Sequence, residues 1–159
     1  MSRILRNCPV CGSNESWPHL EKQGLKIVRC ARCSMLFANP VPAEFASGQY
    51  YDTEGAEYYL SPEKLASDYA TVRFERELNL FRRHCKSGAV LDVGCSSGAF
   101  LFQLQNRFAG AYEILGTDVS GAPLDYAESK GMPVMRGDFL AHDFRDKKFD
   151  AVTFWAVLE

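Results

Sequence analysis

The stretch Val90-Leu91-Asp92-Val93-Gly94-Cys95-Ser96-Ser97-Gly98-Ala99-Phe100-Leu101 decides the fold. A short apolar run passes through an aspartate, turns in a loop bracketed by two glycines and enters an amphipathic stretch. That is the pattern of strand, tight turn and helix at the ligand-binding corner of an α/β sheet. Gly94 and Gly98 let the backbone turn sharply and come close to a ligand, and the helix that follows starts with unpaired N–H groups. Asp92 narrows the choice of ligand, because a carboxylate ahead of the first glycine repels a pyrophosphate and tolerates an ammonium. The glycine spacing points the same way: it is G-x-x-x-G, not the GxGxxG of nicotinamide and flavin dinucleotide sites. Asp118, twenty residues beyond Gly98, stands where a ribose-binding acid is expected.

Four segments in this order resemble the class I, Rossmann-like S-adenosylmethionine-dependent methyltransferases. The glycine loop matches the first motif and residues 114–120 (ILGTDVS) the second strand. Gly137-Asp138-Phe139 matches the third motif, and residues 149–159 (FDAVTFWAVLE) the fourth strand and the segment after it. The resemblance covers roughly residues 66–159. It implies an α/β fold with a Rossmann-like, mostly parallel sheet and helices on both faces. Four strands are placed, at about 90–92, 113–117, 133–135 and 151–155. It also implies a cofactor site. Asp92, Gly94, Cys95, Ser96 and Gly98 form the loop, and Asp118, with Val119 beside it, holds both ribose hydroxyls. Asp138 accepts from the adenine amino group with Phe139 near the ring, and Trp155 lies in the segment bordering the transferred methyl. Ser96 replaces the frequent middle glycine and is read as a tolerated variant that slightly narrows the loop. Cys95 either touches the cofactor or serves as a small buried residue. No catalytic residue is assigned.

A second site lies near the start of the chain. Cys8-Pro9-Val10-Cys11 and Cys30-Ala31-Arg32-Cys33 form two C-x2-C pairs separated by eighteen residues, within the spacing of four-cysteine zinc sites. Each pair makes a knuckle aiming two thiolates at one tetrahedral centre, and Gly12 gives the first knuckle its freedom. Redox chemistry, iron and disulfides are the alternative uses of these thiols. Four thiolates leave a zinc no open position, so the expected metal is structural. The two ends together resemble bacterial methyltransferases of sugar-nucleotide, polysaccharide and related small-molecule pathways. In the better-known sugar C-methyltransferases the knuckles stand further apart, so their substrates do not carry over.

The chain of 159 residues, 47% hydrophobic, divides by this reading into a zinc module (1–40), a tyrosine-rich connector (41–63) and part of a methyltransferase domain (64–159). The connector, with Tyr50, Tyr51, Tyr58 and Tyr59, is expected to have little regular structure and either to pack on the domain or to form a lid. Apolar spacing predicts one helix over residues 64–84. The family's sheet has seven strands, so the chain is expected to be a fragment that binds cofactor without turning over alone.

With a net charge of −2, nucleic acid is not an expected partner, nor is a membrane. The expected partner is a small-molecule methyl acceptor. Arg3, Arg6, Lys22, Lys26, Arg29 and Arg32 concentrate charge in the zinc module and are read as a solvated face. A zinc-bearing ribosomal-RNA methyltransferase and a non-catalytic zinc-ribbon module with a cofactor-binding remnant remain the alternatives. Residues 1–7 lack a signal-peptide core, so a cytoplasmic, reducing location is expected. His19, His84 and His142 have no evident acid partner.

Overall fold

The computed structural model describes residues 2–46 and 48–157; Leu158 and Glu159, the last residues of the fourth segment, lie outside the described residues. The chain divides into two compact units, Met1–Tyr50 and Tyr51–Glu159.

In the first unit, β1 (Arg3–Ile4) pairs antiparallel with β5 (Val41–Pro42), and β2 (Ser16–Lys22), β3 (Leu25–Cys30) and β4 (Leu36–Ala38) form an antiparallel meander. The register sets Ser16 opposite Cys30 and Val28 opposite Phe37. The short helix α1 (Ala43–Ala46) follows. The buried cluster of this unit is small, consisting of Cys8, Cys30 and Phe37 with Cys11, Val28 and Met35 packed against it. So little apolar burial does not order a module of this size unaided.

The second unit starts with α2 (Gln49–Asp52), which overlaps the boundary, α3 (Glu54–Tyr59), α4 (Pro62–Asp68) and α5 (Glu75–His84). It continues with β6 (Gly88–Val93), α6 (Ala99–Arg107), β7 (Tyr112–Asp118), α7 (Gly121–Ser129), β8 (Val134–Arg136), a 3-10 turn (Phe139–Ala141) and β9 (Ala151–Thr153). The sheet order is β8-β7-β6-β9, and every pairing is parallel. This is the doubly wound arrangement, in which the first strand of the unit lies between the second and the fourth. The chain therefore leaves β6 in one direction toward β7 and later returns on its other side at β9. Ligands bind such sheets outside the carboxyl ends of the strands at this switch. β6 is buried from Val90 to Val93, as a parallel strand covered on both faces must be. Leu78, Val90, Leu101, Leu104, Leu124 and Ala127 are the most deeply buried members of its core.

Two expectations need correction. The connector is not irregular: β5, α1, α2, α3 and the start of α4 together occupy most of it. The expected helix over 64–84 is broken into α4 and α5, with Phe74 in the left-handed region at φ 61°. The cause is tertiary. The carbonyl of Ala70 accepts from Gln103 Nε2 at 2.9 Å and that of Thr71 from Arg107 Nη2 at 3.0 Å, so α6 side chains satisfy groups that a continuous helix would have used. Tyr69 Oη donates to the carbonyl of Ser97 at 2.5 Å and holds the break against the glycine loop.

Candidate functional site

The loop after β6 is shaped by three residues with positive φ, Gly94 (71°), Ser96 (50°) and Gly98 (78°). The N–H groups of Gly94 and Cys95 both donate to the carbonyl of Thr117, at 2.8 and 3.0 Å, which fastens the loop across the end of β7. Val157 occupies the space a Cβ on Gly94 would need, so glycine is required there both by φ and by close approach. Ser96 adopts a left-handed conformation that costs an L-residue about 1 kcal/mol.

Asp92 and Asp118 stand near the carboxyl ends of adjacent strands. Asp92 is 2% exposed, and Thr153 of β9, directly across the register, donates its hydroxyl to Asp92 Oδ1 at 2.6 Å. Burial pushes the Asp92 carboxyl up to about 7. The Thr153 hydroxyl opposes the shift, and the negative charge of Asp118 adds to it. Asp118 accepts from the Ser96 N–H through Oδ2 at 2.8 Å and from the Ser120 N–H through Oδ1 at 2.9 Å. Burial raises its carboxyl as well, against the pull of those two N–H groups. Two backbone donors use about half of the lone-pair capacity of a carboxylate, so Asp118 retains acceptors for two hydroxyls.

Both acids border a cavity of about 360 Å³. Of the residues singled out in the sequence, Asp92, Gly94, Cys95, Ser96, Asp118, Val119 and Trp155 line it, and Gly98, Asp138 and Phe139 do not. Gly98 faces Ala127 and Met132. Asp138 is exposed, and its Oδ1 accepts from the Leu140 N–H at 3.0 Å, capping the 3-10 turn, while the Phe139 ring meets Phe154 edge-on. The structure thus gathers two of the three expected carboxylates into one cavity. Cys95 lines the cavity and is buried, with Sγ against Gly116. Burial pushes its thiol well above the usual range.

Sequence reasoning missed Thr153, Tyr69 and a wall formed by Lys64, Asp68, Arg73 and Phe74. The i, i+4 spacing of Lys64 and Asp68 was a legible signal of a helical ion pair. Tyr51 and Tyr59 line the cavity, whereas Tyr58 is exposed. At the start of α7, the Gly121 N–H donates to Asp52 Oδ1 at 2.6 Å and Ser120 Oγ donates to the Tyr51 carbonyl at 2.7 Å. His19 and His84 are exposed, and His142 is half-buried with its ring edge-on to Phe144.

In the first unit the four expected cysteines converge, with Sγ atoms within 4.8 Å of one another and Cys8–Cys33 and Cys11–Cys30 pairs at 3.5 Å. The two knuckles have matching hydrogen bonds. Cys8 N–H donates to Ser13 and Cys30 N–H to Met35, both at 2.8 Å, and Gly12 and Ser34 take positive φ after each turn. The Cys33 N–H holds the Cys30 thiol down at about 6, favouring a thiolate. Thiolates about 2.3 Å from a tetrahedral zinc stand about 3.8 Å apart, within the spread observed, so the donor set fits that ion. Among the described residues, no helix is long and apolar enough to cross a membrane.

Residues 90–159 match the profile of a methyltransferase domain family. No curated protein matches the chain. Among solved structures, the fold is similar to phosphoethanolamine N-methyltransferase 2 of Haemonchus contortus, crystallised with S-adenosyl-L-methionine. The identity is 17% over 75% of this chain and 31% of that one, with a TM-score of 0.52. A TehB-like S-adenosylmethionine-dependent methyltransferase of Corynebacterium glutamicum is 22% identical over 64% of this chain and 55% of that one, with a TM-score of 0.51. The chain therefore spans about half or less of the length of these solved relatives. Residues 90–159 thus match a methyltransferase domain family, and the parallel sheet has the Rossmann-like fold of S-adenosylmethionine-dependent methyltransferases, in a chain that also carries a four-cysteine cluster.

Proposed function

We propose that the protein is an S-adenosylmethionine-dependent methyltransferase acting on a small molecule, of the kind found among sugar nucleotides and polysaccharide precursors, with a structural zinc held by Cys8, Cys11, Cys30 and Cys33. The observation that carries the reading is the pair of acids, buried Asp92 and half-buried Asp118, on one cavity beside a left-handed loop at the switch point of the sheet. When bound, the cofactor supplies a methyl on sulfonium that is already electrophilic. The chain's part is then chiefly to bind, orient and exclude water.

Asp118 takes the ribose hydroxyls with the acceptors that Ser96 and Ser120 leave, and Val119 lies beside the base. Asp92 faces the positive charge of the amino-acid end. Phe74, Phe100 and Trp155 supply an apolar wall. Asp138 and Phe139 take the adenine edge and ring in this reading, with the Asp138 cap exchanged for the amino group. In-line placement of a nucleophile provides most of the acceleration, so an acceptor of good nucleophilicity needs no base from the protein. All six cations of the first unit are exposed, and Arg3 and Arg6 donate to carbonyls of their own unit, which supports a solvated face over a nucleic-acid surface.

Isothermal titration with S-adenosylhomocysteine and with NAD tests the cofactor assignment. Saturable heat from the first, none from the second, and a loss of at least tenfold in affinity in Asp118→Asn are expected. Equal binding of NAD, or no heat from the nucleoside thioether, defeats it.

A further inference from the structure

One face of the three-stranded sheet in the first unit is apolar, cationic and exposed. Side chains directly opposite each other across a sheet share a face. The register therefore aligns Trp17, Arg29 and Leu36 in one cross-strand row, Leu20, Ile27 and Ala38 in the next, and Lys22 with Leu25 in a third. Val28 and Phe37 belong to the other side, with the small cluster around Cys8 and Cys30. On the open face Trp17 is 66% exposed and Leu20 51%, and Leu25 and Leu36 are exposed as well.

A β-bulge builds this face. The register of β2 against β3 shifts between Pro18 and Leu20, with His19 as the extra residue. Strict alternation from Trp17 would set His19 and Glu21 on the open side. The shift puts Leu20 and Lys22 there instead and turns Glu21, opposite Lys26, to the reverse, so that these rows hold no acid. Among the described residues, the side chains of Lys22 and Arg29 form no ion pair or hydrogen bond, whereas Arg3 and Arg6 are tied to carbonyls of their own unit.

The net charge of the whole chain, which speaks against a membrane, averages two units of opposite sign. Residues 1–50 carry six Lys and Arg against three Glu, and residues 51–159 carry twelve against seventeen Asp and Glu. Such asymmetry marks a surface for nucleic acid or for an anionic membrane. The aliphatic members decide between the two. Leu20, Leu25, Ile27 and Leu36 gain by leaving water for an acyl layer, and they give bases no ring to stack on beyond that of Trp17. An indole suits the boundary between headgroups and acyl chains. Pairing the face with a second copy of itself would set cation against cation.

We propose that this face of the first unit docks the protein on an anionic lipid surface, with Trp17 and the leucines entering the interface and Lys22 and Arg29 meeting lipid phosphates. The inference is independent of the cofactor assignment.

The test is co-sedimentation of the full chain with vesicles of phosphatidylcholine, alone or with about 30% phosphatidylglycerol. Binding to the anionic vesicles that weakens as salt rises, and is about tenfold or more weaker on neutral ones, is expected. Lys22→Gln and Arg29→Gln should each weaken it about fivefold, and Trp17→Ser about tenfold or more. In a Trp155→Phe background Trp17 is the one tryptophan left, and its emission should shift to the blue on anionic vesicles. Absence of vesicle binding, or binding that all three variants leave unchanged, overturns the proposal. So does finding, in place of vesicle binding, saturable uptake of an oligouridylate of about 20 nucleotides, or a dimer that Trp17→Ser dissociates. Lys22 and Arg29 are exposed, so their variants decide the matter even where Trp17→Ser fails to fold.

Discussion

Thr153→Val isolates one hydrogen bond at the centre of the site. Valine keeps the β-branched shape that suits β9 and removes only the hydroxyl that donates to Asp92 Oδ1 at 2.6 Å. A hydrogen bond to a charged group is worth about 1.5–3 kcal/mol, and one pKa unit is about 1.36 kcal/mol, so the loss raises the Asp92 carboxyl by about 1–2 units. From about 7 in the wild type it moves to about 8–9. If the positive end of the cofactor needs the ionised acid, the competent fraction at pH 7 falls from about one half to between about one tenth and one hundredth. Affinity for S-adenosylhomocysteine then drops about 5- to 50-fold at pH 7 and recovers toward pH 9. Calorimetry in two buffers of different ionisation enthalpy reads the same event directly. About half a proton is released on binding to the wild type at pH 7, and nearly one to the variant. Superimposable affinity profiles for the two proteins between pH 6 and pH 9 would refute the reasoning.

Asp92→Asn should raise stability while removing cofactor binding. The folded carboxyl is raised above its ordinary value, so its stabilising contribution is full below about pH 4 and is lost as pH rises to about 7. Above pH 7 the penalty approaches about 4 kcal/mol, and an unpartnered buried amide returns about 1–3 kcal/mol of it. A net gain of about 1–3 kcal/mol in urea unfolding at pH 8, and none at pH 4, is expected. In Gly116→Ala, the new Cβ falls 2.6 Å from Cys95 Sγ and 3.0 Å from Leu101 Cδ1, costing about 1–3 kcal/mol of stability and displacing the glycine loop. Adding Cys95→Ala should recover part of both stability and affinity, and strictly additive losses would count against direct contact. Cys30→Ser, or chelation of the wild type, should cut bound zinc from one per chain and melt the first unit, seen as lost amide protection over residues 8–38. Unchanged metal content would remove the zinc assignment.

The sheet and its loop were legible because each signal was local. β6, β7, β8 and β9 fall within a few residues of the apolar runs that announced them, and Asp92 and Asp118 lie where the spacing around the glycines put them. The cysteine cluster was legible for the same reason, since two knuckles with equivalent turns can be read one at a time. The break between α4 and α5 was not, because the groups that stabilise it, Gln103, Arg107 and Ser97, come from about thirty residues away. Thr153 belongs to the same class: its role depends on β9 returning beside β6, a fact of topology with no local mark. The helical character of the connector was hidden by its prolines and paired tyrosines. These read as irregular chain until Asp52 is seen capping α7.

That cap joins events distant in the sequence. Asp52 and the Tyr51 carbonyl are bonded to the first turn of α7, immediately after the acid assigned to the ribose. On the proposed ribose role of Asp118, a sugar seated there bears on a turn that is bonded to Tyr51 through Ser120 and to Asp52 through Gly121, and the Tyr51 ring forms part of the cavity wall. Occupancy is thus expected to slow amide exchange at residues 51–52 as well as at 118–121, and Asp52→Ala, which removes the bond to Gly121, to weaken that coupling before it abolishes binding.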